Sequence, residues 1–179
     1  MMKCLKRVVL LLVSCMFLVG CVVNNNSVAP SGQQRTDIYR LVSDEADNAW
    51  TYFSMTHEQD ALHRFKVYYE VELTDAYLGE IGASSPKEAG DMLEELFYEY
   101  SLPELAELET VDGVEVASHF PRERVWRLVI DIDPAIADFN MISQIVGEGD
   151  LEMLADIETT TASEFATIFY FLGFEKMND

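Results

Sequence analysis

The residues best equipped for chemistry in this chain are its three histidines, its scattered carboxylates and a few serines. His57-Glu58 opens like a paired metal-ligand motif, but the position one helical turn on is Ala61, so the second ligand of an H-E-x-x-H site is absent. His63 lies six residues after His57, about 120° round a helix and a poor chelate. A metal centre from His57, Asp60 and His119 would require the fold to bring His119 over; otherwise these are surface or turn histidines. Ser84 and Ser85 sit in Gly82-Ala83-Ser84-Ser85-Pro86, where Pro86 replaces the closing glycine of a nucleophile elbow. Gly147-Glu148-Gly149 is a lone G-x-G in acidic surroundings, which would repel a phosphate. Cys4, Cys15 and Cys21 are the only cysteines. The segment after them has no thiol nucleophile, disulfide or cysteine-ligated zinc. We therefore expect no catalytic set, no metal and no cofactor.

Leu128-Val129-Ile130-Asp131-Ile132-Asp133 ends an apolar run in two alternating carboxylates. It resembles the first motif of haloacid dehalogenase-type phosphatases. The resemblance implies Asp131 as nucleophile and Asp133 as acid/base, with magnesium between carboxylate and phosphate. The chain departs from that family at Ala135, where Thr or Val is usual. It also has only Lys176 for the later lysine, and only 46 residues after Asp133. The structural expectation is that Asp133 caps a helix beginning at Pro134, while Asp131 pairs with Arg or Lys on a neighbouring strand.

The N-terminus has its own pattern. Lys3, Lys6 and Arg7 precede an apolar run from Val8 to Val19, ending in Leu18-Val19-Gly20-Cys21. A basic n-region and short h-region form a secretory signal, and a bilayer-spanning helix needs roughly 20 apolar residues. Leu-x-Gly-Cys resembles the lipobox of bacterial lipoproteins. The resemblance implies removal of residues 1–20, lipid on Cys21, and an extracytoplasmic, membrane-anchored product. Val22 in place of Asp implies the outer membrane if the cell is Gram-negative.

Composition narrows the partners. The chain has 12 Lys+Arg against 32 Asp+Glu, a net charge of −20, and loss of the signal would make it more acidic still. Such a surface repels nucleic acid and anionic lipid headgroups and attracts basic proteins or divalent cations. Basic residues cluster at Arg64/Lys66 and at Arg122/Arg124/Arg127, where they can neutralise carboxylates across a sheet.

Three regions follow: the signal at 1–20, a polar tether at 21–35, and a single acidic domain at 36–179. Helical spacing of Ile38, Leu41, Val42, Ala49, Trp50 and Phe53 predicts a helix over Asp37–Met55 capped by Thr36, and Ser54–His63 could extend it. Arg64–Thr74 alternates as a half-buried strand. Ser85-Pro86-Lys87-Glu88 opens a capped helix with Ala89, Met92, Leu93, Leu96, Phe97 and Tyr100 inward. Val114–Phe120 and Arg124–Asp133 read as strands. Helices are expected from Pro134 to Val146, over Leu151–Ile157, and after the Thr161–Glu164 capping box. The last is apolar enough around its circumference to pack deeply. The fold class is α+β: a small antiparallel sheet of three or four strands packed against several helices.

On the predicted water face of the Ser85 helix stand Asp91, Glu94, Glu95 and Glu99, with Tyr98 among them. Tyr98 and Tyr68 are the aromatics placed outward, and these positions form the expected contact with a basic protein partner. The function expected is a non-catalytic envelope lipoprotein that binds another protein: an assembly or accessory factor, an inhibitor or an immunity protein. The alternatives are a carrier of a small ligand or cation and, after it, a hydrolase.

Overall fold

The computed structural model describes residues 32–41, 48–147 and 151–177. The signal, Cys21 and most of the tether lie outside the described residues. The chain runs β1 (Arg35–Leu41), β2 (Ala49–Glu58), β3 (Ala61–Glu72), α1 (Asp75–Ile81), α2 (Pro86–Leu96), a π-helical turn (Phe97–Ser101) and α3 (Leu105–Leu108). It continues through β4 (Val114–Arg122), β5 (Val125–Ile132), α4 (Phe139–Val146), a 3-10 helix (Glu152–Glu158), α5 (Ala162–Phe171) and β6 (Phe174–Met177). Six strands form one antiparallel sheet in the order β4-β5-β3-β2-β1-β6. The α+β class is as expected, but the sheet is larger than the three or four strands expected.

Two of the additional strands, β2 beside β3 and β1 beside β2, come from the segment read as a helix. Ile38, Leu41 and Phe53 satisfy helical spacing, but Asp37/Tyr39/Leu41 and Thr51/Phe53/Met55 alternate equally well. Thr51-Tyr52-Phe53 is β-branched and aromatic, which suits a pleated surface better than a helix. Tyr39 pairs with Phe53 and Thr36 with Thr56, and the Thr36 and Thr56 hydroxyls lie 2.8 Å apart. Thr36 is thus a strand residue, not a cap. Ser54–His63 is the β2–β3 hairpin, and Gln59 in its turn adopts φ +54°.

Every second residue of the strands packs under the helices. Phe65, Leu128, Ile130 and Ile132 are fully buried, and Trp126 and Val67 are 1 % exposed. The alternation read along β3 and β5 therefore names the core face correctly. Phe53 stacks on Phe169 at 4.5 Å between ring centroids, with Phe65 and Phe174 around them. Each such ring contributes roughly 1.5–3 kcal/mol by leaving water.

Helix ends show how local signals behaved. Ser85 accepts the Glu88 amide, as expected, but the Glu88 carboxylate takes the Ser84 amide rather than that of Ser85. Thr161 and Glu164 form the complete capping box. Asp133 does not cap α4. It accepts the Ala135 amide in a turn, and Asp138 is the cap, accepting the amides of Asn140 and Met141 at 3.1 Å. Nor is α5 deeply enclosed: Phe165 and Phe169 are buried, while Tyr170 and Phe171 are 76 % and 78 % exposed. Its wide apolar circumference meets only one layer. Among the described residues no helix is long and apolar enough to cross a membrane.

Candidate protein-binding surface

Helix α2 starts where Ser85 and Pro86 force it to. It buries Ala89, Gly90 and Leu93 and leaves its other side to water. Gly90 permits close packing: a Cβ there would lie 2.6 Å from Cζ of Phe120 and 3.0 Å from Cδ1 of Trp126. Phe97 continues the contact, its ring 5.5 Å from Trp126 and 5.3 Å from Tyr69.

Asp91, Glu94, Glu95 and Glu99 are all exposed. Lys87 reaches Asp91 at 2.9 Å one turn on, and the Ser118 hydroxyl donates to Glu94 at 2.7 Å. Tyr98 is half-buried, and its hydroxyl donates to Glu109, fastening the π-helical turn to α3. Burial, then the neighbouring Glu109 carboxylate, pushes the Tyr98 pKa well above the usual phenol range. Tyr98, expected outward, is thus packed partly against the core and tied to Glu109, while the four carboxylates stand in water.

The sequence reading missed what lies beside them. Met92, Leu96 and Tyr100, expected inward, are 40 %, 46 % and 74 % exposed. Successive π-turn residues advance by less than 100°, and the Leu102 amide reaches back to the Phe97 carbonyl at 2.8 Å, so Tyr100 swings away from the core. A helical-wheel plot carries part of this signal: Met92 and Leu96 fall on the margin of the buried stripe, adjoining Glu95 and Glu99.

Tyr68 lies on the opposite, helix-free face of the sheet. It stacks on Tyr52 at 4.8 Å with an interplanar angle of 11°, and the Arg127 guanidinium sits 4.7 Å over its ring. It is not brought together with the α2 residues. Arg64, Lys66 and Arg127 neutralise carboxylates across the sheet on this face, as expected, whereas Arg124 pairs with Asp75 at the start of α1. Arg64 holds Asp131 through two hydrogen bonds of 2.6 and 3.0 Å, Lys66 adds a contact at 2.6 Å, and Arg127 pairs with the buried Glu70.

That network bears on the phosphatase resemblance. Asp131 is 7 % exposed and both its oxygens are engaged. Burial would raise its pKa, but Arg64 and Lys66 outweigh burial and hold it below the ordinary carboxylate value. Asp133 is turned into its local turn.

The histidines do not converge. His57, expected at the surface, is 3 % exposed. Its Nδ1 lies 2.6 Å from the Gln59 carbonyl oxygen and its Nε2 3.3 Å from Asp37. The sequence offered no sign of this, because the hairpin that folds His57 against β1 was read as helix. His119 lies on β4 beside Phe120 and Trp126. Among the described residues no group of three or more His, Cys, Asp or Glu is placed to hold a metal ion.

Clefts open on the surface among the described residues. One, of about 920 Å³, lies between the β2–β3 hairpin and the start of α5, lined by Thr56, Asp60, His63, Arg64, Asp133 and Thr160 among others. Another, of about 420 Å³, lies between α2 and the end of β4 and includes Asp91 and Glu94.

No protein-family model and no curated protein sequence matches this chain. The NMR structure of a protein from Streptococcus pneumoniae TIGR4 is similar at a TM-score of 0.56 and 12 % identity, over 90 % of this chain and 95 % of that one. The NMR structure of the E. coli YehR protein is similar at 0.52 and 14 % identity, over 81 % of this chain and 91 % of that one. At these identities the likeness is one of fold alone.

Proposed function

We propose that this protein is a non-catalytic lipoprotein of the bacterial envelope that binds another, basic protein through α2 and its π-helical turn. The observation that carries this reading is the exposed apolar line Met92, Leu96 and Tyr100 lying beside Glu95 and Glu99. Apolar side chains supply the burial that holds an interface, and surrounding charges speed encounter and select the partner. A solvated helix face alone would not leave three large apolar groups in water along one line. The lipid on Cys21 would fix the domain to its membrane.

Site-specific photo-crosslinking in the native envelope tests this. A benzoylphenylalanine at position 96 should capture a partner that the same group at position 156, on the 3-10 helix, does not. With that partner purified, the E94K/E95K protein should associate more slowly at low salt, and the difference should shrink at 1 M salt, where the Debye length is roughly 3 Å. Tyr98→Ala should mainly speed dissociation. Rates indifferent to salt and to all these changes would place the interface elsewhere. Cys21→Ser should abolish signal cleavage and lipidation, read by mass spectrometry of the N-terminus.

The larger cleft favours a second reading, a carrier of a small polar ligand. Thr56, His63, Arg64 and Thr160 are among the residues lining its volume of about 920 Å³, room enough for a small molecule. Thermal stabilisation of the wild-type protein by a ligand, lost in Arg64→Ala, would support it.

A further inference from the structure

The cleft on the other flank of α2 has a chemistry of its own. Phe120 lines it, the tip of its ring brought close against the helix where position 90 is glycine. Phe120 is 40 % exposed and shares the lining with Gly90 and Trp126. Asp91, Glu94 and Glu123 line it with Phe120, alongside Lys87 and His119. Lys87 is already committed to Asp91. The Ser118 hydroxyl bonds one oxygen of Glu94, which orients that carboxylate at the rim and leaves its second oxygen to accept.

We propose that this cleft receives an arginine side chain from the protein partner. It rests on the protein-binding reading for its occupant and names the group that the partner inserts. An exposed phenyl face attracts a cation through its quadrupole, and carboxylates at the rim supply the opposite charge. Arginine fits better than lysine. Its guanidinium is planar and stacks on a ring, forks between two carboxylates, and sheds water more readily than an ammonium. Its methylene stem lies along apolar surface, here Phe120. An acidic or anionic-lipid surface is disfavoured by Asp91, Glu94 and Glu123 in the lining. The exposed line of Met92 and Leu96 on the opposite flank lets the partner straddle the helix, with apolar contact on one side and the arginine on the other.

The full chain, titrated with a blocked Gly-Arg-Gly peptide and followed by amide NMR shifts, tests the site. Shifts should centre on Gly90, Ser118 and Phe120. The neutral citrulline peptide should bind about 10-fold more weakly, as should the arginine peptide to the E94Q/E123Q protein. Phe120→Leu, which keeps an apolar floor without the ring, should weaken binding about 3-fold. E152Q/D156N removes the same charge far from the cleft and should change nothing. Equal loss in E152Q/D156N would point to a general acidic field, equal binding of the citrulline peptide would show that the guanidinium charge plays no part, and shifts centred elsewhere would place the site elsewhere; each would overturn the proposal. The two readings fail separately. A crosslinked partner that associates normally with the Phe120→Leu and E94Q/E123Q proteins overturns the arginine cleft and leaves protein binding intact. Peptide binding with the predicted variant pattern upholds the cleft even where position 96 captures nothing.

Discussion

Asp131 shows how one residue type serves opposite purposes according to its neighbours. With Arg64 and Lys66 on it, the carboxylate is an ionic clamp between β3 and β5, and its pKa lies below the ordinary value. Asp37, contacted by Lys176 at 2.8 Å, is held down in the same way, its cationic neighbours outweighing burial. A carboxyl whose pKa is lower in the folded chain contributes stability that is complete above its unfolded value, about 3.9, and is lost as pH falls through the folded value. Urea unfolding should therefore show stability declining below about pH 4. Asp131→Asn should lower stability at pH 7 by about 1–3 kcal/mol and flatten the decline. The loss is bounded because Arg64 and Lys66 are partly exposed and regain water. Magnesium-dependent phosphatase activity abolished in this variant would instead support the catalytic resemblance. At the start of α4, Asp138→Ala should cost about 0.5–2 kcal/mol. Asp133→Ala should cost less, since Asp133 holds a single turn amide.

At the scale of elements, α2 is the pivot. Its inner side is shaped by one glycine and its outer side by carboxylates and an apolar line. Gly90→Ala places a methyl against Phe120 and Trp126, and overpacking of this kind costs about 1–3 kcal/mol. Chemical denaturation of Gly90→Ala, Phe120→Ala and the double variant should show a favourable coupling, because removing the ring relieves the clash. Additive losses would mean that Phe120 moves aside freely. The capping signals at Ser85 and Thr161 were legible because they are local, one side chain and an amide three residues on. The Asp133 misreading was equally local: two aspartates five residues apart both offer a cap, and the choice fell to the one whose helix packs Phe139, Ile142 and Val146 into the core.

For the whole molecule, stability has to come from a single sheet-and-helix core. The cysteines all lie at or before position 21, and the described residues offer no metal cluster. Thermal unfolding should be unchanged by EDTA or by reductant, and a marked fall on chelation would revive a metal centre. The net charge of −20 is not spread evenly. The helix-free face carries the paired Arg64, Lys66 and Arg127, and the α2 side carries the exposed Asp91, Glu94, Glu95 and Glu99 with Lys87 on Asp91, so the two faces present different chemistry to partners.

The sequence by itself determined the periodicities and the caps. Alternation over β3 and β5 marked Phe65, Val67, Leu128 and Ile130 as buried, because a strand's side chains obey a period of two whatever surrounds it. It also placed Asp91, Glu94, Glu95 and Glu99 in water, since carboxylates are rarely buried unless paired. The tertiary structure alone decided between strand and helix for residues 37–55, where short apolar runs fit both periods and pairing with β3 and β6 settles the matter. It also decided which apolar residues stay outside. Met92, Leu96, Tyr170 and Phe171 look like core by type, yet the sheet offers its helices only one face to pack against. Surplus apolar surface is left over, and no local rule in the sequence says where.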